Sequence, residues 1–244
     1  PTEPAELVDF TASAKVSRLW TANAGKGEDR LGIRQTPAVV GGRVYTAAVD
    51  GGVRAFDLQS GASLWQYKSE ARLTGGPGAG DGLVVVGSLK GDVIALDAET
   101  GAERWQVKVS SEIIAAPAIG QGLVLVRSND GRLTALDASN GERRWFWNQE
   151  LPSLTVRGND APALGPGFVF VGNDDGTLAA LTLADGRPIW DQVIAEPDGR
   201  TELDRMADVD GTPLLDGTVL YASSYKQRTM ALDAPSGRPI WSAD

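Results

Sequence analysis

A chain of 244 residues, 42% hydrophobic and 23% charged, is long enough to bury a sizeable core and has globular composition. Its formal net charge of −9 repels phosphate backbones and argues against nucleic acid as a partner. With no cysteine and no histidine it can form no disulfide, thiol nucleophile, Cys/His zinc site or histidine-based triad, and no apolar run approaches the roughly 18 residues that span a membrane.

Residues 1–14 read as an N-terminal extension or linker, and the opening Pro1 is compatible with removal of a leader. Residues 15–20, ending in Trp20, read as a single strand that completes a last blade from the far end of the chain. A repeat follows. PAVVGGRVYTAAVDGGVRAFDLQSGASLW (37–65) and PGAGDGLVVVGSLKGDVIALDAETGAERW (77–105) share a register with PAIGQGLVLVRSNDGRLTALDASNGERRW (117–145). PALGPGFVFVGNDDGTLAALTLADGRPIW (162–190) and PLLDGTVLYASSYKQRTMALDAPSGRPIW (213–241) keep it, each unit reaching its tryptophan 28 residues after its proline. Fixed offsets hold Ala55, Ala95, Ala135, Ala180 and Ala231, then Gly61, Gly101, Gly141, Gly186 and Gly237. Asp57, Asp97, Asp137 and Asp233 share another offset, where the fourth unit has Thr182.

The third unit shows how each divides into four strands. Residues 117–119 form the first, closed by a turn at 120–122; Leu123–Arg127, apolar and β-branched, reads as a buried second strand. Asn129-Asp130-Gly131 is a hairpin signal because these residues tolerate positive φ, and Arg132–Asp137 is the third strand. Asp137 can accept bonds from the next turn, Gly141 supplies a left-handed position, and Trp145 lies on the fourth strand. One four-stranded sheet of this size cannot bury both faces. Blades packed radially, each wedged by a tryptophan, can do so, and the predicted fold is an all-β propeller of antiparallel four-stranded blades.

The connections between units are uneven. From tryptophan to the next proline the offset is 12 at 65→77 and 105→117, but 17 at 145→162 and 23 at 190→213. Such connections emerge beside the second-to-third-strand turns, and long loops on one face of a rigid scaffold are where binding residues sit. The first insertion carries Leu154, Val156 and Arg157, apolar anchors next to an arginine; the second carries Asp208 and Asp210 in the same alternation. Either Arg157 is oriented by one of these aspartates or both face a partner.

Other motifs fail on inspection. Asp208-Val209-Asp210-Gly211 lacks the third oxygen ligand and the closing glutamate of a calcium loop, since Val219 stands there. Asn173-Asp174-Asp175-Gly176 falls where the repeat requires a hairpin turn. The glycines at 75–80 are followed by neither a helix nor Lys-Ser/Thr, so they form no phosphate loop. No catalytic or metal-binding residues are assigned.

AFDLQSGASLW, ALDAETGAERW, ALDASNGERRW and ALDAPSGRPIW resemble the tryptophan-docking repeat of the pyrroloquinoline-quinone (PQQ) dehydrogenase-like propellers, which include both enzymes and scaffolds. LPSLTVRGNDAPAL (151–164) and TELDRMADVDGTPLL (201–215) resemble the two inserted loops of the BamB family, propeller lipoproteins of the outer-membrane β-barrel assembly complex; Gly211 stands where some relatives have threonine. This resemblance implies a non-enzymatic scaffold without cofactor that binds the periplasmic POTRA domains of BamA through Leu154, Val156, Arg157, Asp208 and Asp210. Unfolded outer-membrane proteins are a second implied class of partner. It also implies a place at the periplasmic face of the outer membrane, through an N-terminal lipid-bearing cysteine absent from this sequence. The family ring has eight blades, so with five complete units visible about three more are expected after Trp241, the chain being incomplete at its C-terminal end. The other reading, a fragment of a PQQ-dependent dehydrogenase, implies a central cofactor pocket, calcium, a general-base aspartate and an adjacent-cysteine disulfide that a cysteine-free chain cannot form.

Overall fold

The computed structural model describes residues 9, 11–26, 33, 35–152, 160–196, 201, 207–209, 211–224 and 228–243. Among them are twenty strands in five antiparallel sheets of four, each sheet ordered as in the chain. The first blade comprises β1 (Ala38–Val40), β2 (Arg43–Ala48), β3 (Gly52–Asp57) and β4 (Ser63–Tyr67). The second comprises β5 (Leu73–Gly80), β6 (Leu83–Ser88), β7 (Asp92–Asp97) and β8 (Glu103–Lys108), and the third β9 (Ala118–Gly120), β10 (Leu123–Arg127), β11 (Arg132–Asp137) and β12 (Arg143–Asn148). The fourth has β13 (Ala163–Gly165), β14 (Phe168–Gly172), β15 (Thr177–Thr182) and β16 (Pro188–Val193); the fifth has β17 (Leu214–Asp216), β18 (Val219–Ser223), β19 (Thr229–Asp233) and β20 (Pro239–Ala243). The first strands β1, β5, β9, β13 and β17 neighbour one another in series. This is a propeller.

The second and third strands are largely apolar because both of their faces are covered. In the second blade Val84, Val86, Ile94 and Leu96 pack toward the first blade, whereas Val85, Val93, Ala95 and Trp105 pack toward the third. Each core cluster is shared by two consecutive blades, so no blade is stable without its neighbour.

The repeat signature follows from one joint. Trp145 pairs across the sheet with Ala135, and the small alanine leaves room for the indole on that face. The register shifts between Ala135 and Leu136, and the same shift follows Ala55, Ala95, Ala180 and Ala231. The indole Nε1 of Trp145 then donates to the Leu183 carbonyl of the next blade at 2.9 Å, its ring lying over Gly186. Trp65, Trp105 and Trp190 repeat this on Ala98, Ala138 and Ala234. Asp137 closes its turn by accepting from the Ser139 N–H at 2.9 Å. Thr182 keeps that role in the fourth blade, its hydroxyl oxygen accepting from the Arg187 N–H at 3.0 Å.

One sequence expectation needs correction. The third blade opens at Ala118 rather than 117, since Pro117 has no N–H to give a ladder. Residues 15–20, expected to complete a blade whose other strands come from after Trp241, have no strand or bridge partner among the described residues. Trp20 nevertheless docks like the others, donating to Leu58 O at 2.9 Å with its ring over Gly61.

Candidate partner-binding site

Of the residues assigned to the site from sequence, Leu154, Val156, Arg157 and Asp210 lie outside the described residues. Asp208 is described, and it is buried, with 5% of its surface exposed. The structure defines the ends from which the two insertions rise. At the start of the first, Gln149 Nε2 donates to Asp175 Oδ2 at 2.7 Å, in the turn joining β14 to β15. At its end, the Asp160 carboxylate accepts from the Gly211 N–H, which lies at the end of the second insertion. The described ends of the two insertions therefore meet at one edge of the propeller.

The second insertion is seated by apolar contacts. Val209 donates from its N–H to the Asn173 carbonyl at 3.1 Å and bridges to Ser224 in the fifth blade. Its side chain covers Gly172, where a Cβ would stand 2.9 Å from Val209 Cγ1. Ala207 is buried beside it. The short connection 105→117 uses the same device: Ile113 covers Gly87 and donates from its N–H to Ser88 O at 3.1 Å. The insertion thus adds residues ahead of a geometry of attachment that the short connection shares, which is why a loop of this length is tolerated.

These seats gather charge. Asp130, Asp160, Asp174, Asp175 and Asp208 come to one region, with Arg127 buried beneath it. Burial pushes the Asp174 carboxyl up to about 6; the Arg127 charge pulls against this, and the carboxylates of Asp208, Asp175 and Asp160 add to it. Asp175 is oriented by the Thr177 N–H at 3.0 Å and the Thr177 hydroxyl at 2.6 Å. Among the described residues no group of three or more acidic side chains is arranged to hold a metal ion. What the arrangement offers is an acidic, rigidly floored rim suited to a basic or mixed protein surface. The sequence reading had Asn173-Asp174-Asp175-Gly176 as a turn only; it is that turn, and also the floor of the site.

A family model described as "Outer membrane protein assembly factor BamB" matches residues 49–244, most of the chain. The chain belongs to the BamB family. It is 60% identical over 99% of its length to the BamB of Xanthomonas campestris pv. campestris and 51% identical over 98% to that of Pseudomonas aeruginosa. It spans 62% and 63% of those two relatives, less than two thirds of either. The crystal structure of BamB from Moraxella catarrhalis superposes with a TM-score of 0.79 at 33% identity, over 88% of this chain and 65% of that one. The quinohemoprotein alcohol dehydrogenase of Comamonas testosteroni, at 21% identity and a TM-score of 0.65 over 87% of this chain and 43% of that one, shares the fold alone.

The upward shift of the Asp174 carboxyl has a consequence for stability. A carboxyl that holds its proton more tightly when folded contributes stability that is fully present below about pH 4 and is lost as pH rises through about 6. Above that range the ionised group is a net cost. Asp174→Asn should therefore stabilise the protein by about 1–2 kcal/mol at pH 7.5, and the gain should vanish near pH 4. Denaturant unfolding at the two pH values measures the gap. A gap of equal size at both would mean that Asp174 titrates normally.

Proposed function

We propose that this propeller is a non-enzymatic scaffold subunit of the outer-membrane β-barrel assembly machinery, docking the POTRA domains of BamA on the rim formed by its two insertions. It works at the periplasmic face of the outer membrane, held there by an N-terminal lipid anchor, and supports the insertion of β-barrel proteins. The observation that carries this reading is the bond from Gly211 to Asp160, which joins the ends of the two insertions. The names of the relatives, outer membrane protein assembly factors, support it. Within the rim, Leu154 and Val156 act as apolar anchors, and Arg157 and Asp210 supply charge-assisted bonds that fix orientation. Asp208, being buried, supports the rim from beneath.

Arg157→Ala or Asp208→Ala should weaken binding of purified BamA POTRA domains by about 1–3 kcal/mol while the propeller stays folded by circular dichroism. Equal capture of the POTRA domains by the wild type and by the double variant would reject the rim as the docking site.

A further inference from the structure

Ten residues after each unit's proline the chain has Ala47, Gly87, Arg127, Gly172 and Ser223. All five lie at or next to the end of the second strand of their blade, opposite Val53, Val93, Leu133, Leu178 and Thr229. Four are small. In the second and fourth blades the reason is visible, because Ile113 and Val209 from the incoming connection fill the space over the glycine. Ile113 and Val209 each stand four residues before a unit's proline; the residue at that offset before Pro162 is Gly158. In the third blade alone the sequence exchanges sizes, with glycine in the connection and arginine in the strand.

Arg127 is 1% exposed. Its Nη2 donates to Asn173 Oδ1 at 3.4 Å, and its Nε and Nη1 meet no acceptor among the described residues. A buried guanidinium without a direct carboxylate partner is costly, and a leucine or methionine would fill the same space without that cost. Stability does not explain its presence; its neighbours do. Asn173, which it contacts, carries the carbonyl that seats Val209, and the Asn173 side-chain amide donates to Thr177 Oγ1 at 3.0 Å. Around the guanidinium stand Asp130 in the β10–β11 turn and Asp174 and Asp175 in the β14–β15 turn. Asp160 and Asp208, from the ends of the two insertions, bear on Asp174 as well.

We propose that Arg127 is the positioning residue of the docking rim: from beneath, it fixes the Asn173–Asp175 turn and hence the end of the second insertion, and its charge lets Asp160, Asp174, Asp175 and Asp208 crowd there. The consequence for partner binding rests on the BamA reading above. A partner of basic character would meet a rim that keeps its full negative charge only while Arg127 is in place.

The test uses the full-length protein with Arg127→Met and Arg127→Lys, read in two ways. Carbon NMR of aspartate-labelled protein follows the Asp174 carboxyl, assigned by its loss in Asp174→Asn. In parallel, the Kd for purified POTRA domains is measured from pH 5.5 to 8. In the wild type the Asp174 midpoint is expected at about 6. Arg127→Met should move it upward by about one unit or more, weaken POTRA binding at pH 7.5 by about tenfold, and displace the binding profile in the same direction. Arg127→Lys should restore most of the midpoint and only part of the affinity, because an ammonium lacks the planar fork. A midpoint and a binding profile unchanged in Arg127→Met, with only a lower melting temperature, would overturn the proposal; should Met fail to fold, an affinity unchanged in Arg127→Lys would overturn it. A midpoint that moves as stated in a protein that binds no POTRA domain would support the hold of Arg127 on the carboxylates and sink the docking reading alone.

Discussion

Replacing Trp145 by alanine should cost the propeller about 3–5 kcal/mol, whereas replacing its neighbour Phe146 should cost about 2 kcal/mol or less. The two aromatic rings point to opposite faces of β12 and meet different surroundings. Trp145 is 9% exposed within a cluster built from the third and fourth blades, among Leu125, Val169, Val171 and Leu181. Truncation opens a cavity the width of an indole and leaves the Leu183 carbonyl without its buried donor. Phe146 is 48% exposed and lies under the guanidinium groups of Arg132 and Arg143, at 4.8 and 5.4 Å from its centroid. Such exposed cation–π contacts contribute about 0.5–1 kcal/mol each at most. Denaturant titration, with m unchanged, should shift the midpoint strongly for the first variant and slightly for the second. Equal shifts would mean that the blades are not held together by their tryptophans.

That joint was legible in the sequence because every part of it is local and repeated. The alanine, the aspartate, the glycine and the tryptophan each occupy a fixed offset, and the fold demands each of them within one turn and two strands. Leu123–Arg127 and Arg132–Asp137 are strands where the sequence pattern predicted them, since burial on both faces favours a largely apolar run. Residues 15–20 show the opposite case. Their pattern suits a strand, but a strand needs a partner, and nothing in the local pattern reports whether one lies alongside. Asp208 and Asp210 alternate at i and i+2, which left open whether they face a partner or orient Arg157. Asp208 is buried beside Ala207 and Val209, which seat the loop, and this depends on glycines in a blade far away in sequence. Arg127 was hidden for another reason. Within its own unit it is merely the last residue of a strand; it stands out only when the same position is compared across all five units and found small in the other four.

Gly186→Ala should destabilise the protein by about 3 kcal/mol or more, while Gly167→Ala, with a similar backbone, should cost about 1 kcal/mol. Both residues have positive φ, +70° and +76°, where an L side chain is strained by roughly 1–2 kcal/mol. They differ in what a methyl group would meet. At Gly167 there is nothing within 4 Å, so the backbone strain is the whole cost. At Gly186 the new Cβ would stand 2.5 Å from Trp145 Cε3 and 2.8 Å from its Cδ2, closer than such atoms can approach. The ring cannot retreat without giving up its bond to Leu183 and its contacts with the fourth blade, so the blades themselves must separate. The clash is with the indole, and removing the indole should remove it. In the Trp145→Ala background Gly186→Ala should therefore cost only its backbone share, giving a coupling of about 1–3 kcal/mol between the two positions. Strict additivity would contradict the wedge. The turn that holds Gly186 joins β15 to β16, at the end of the blade opposite the β14–β15 turn that floors the insertions. The molecules of Gly186→Ala that remain folded should then bind POTRA domains as tightly as the wild type, which separates loss of the fold from loss of the rim.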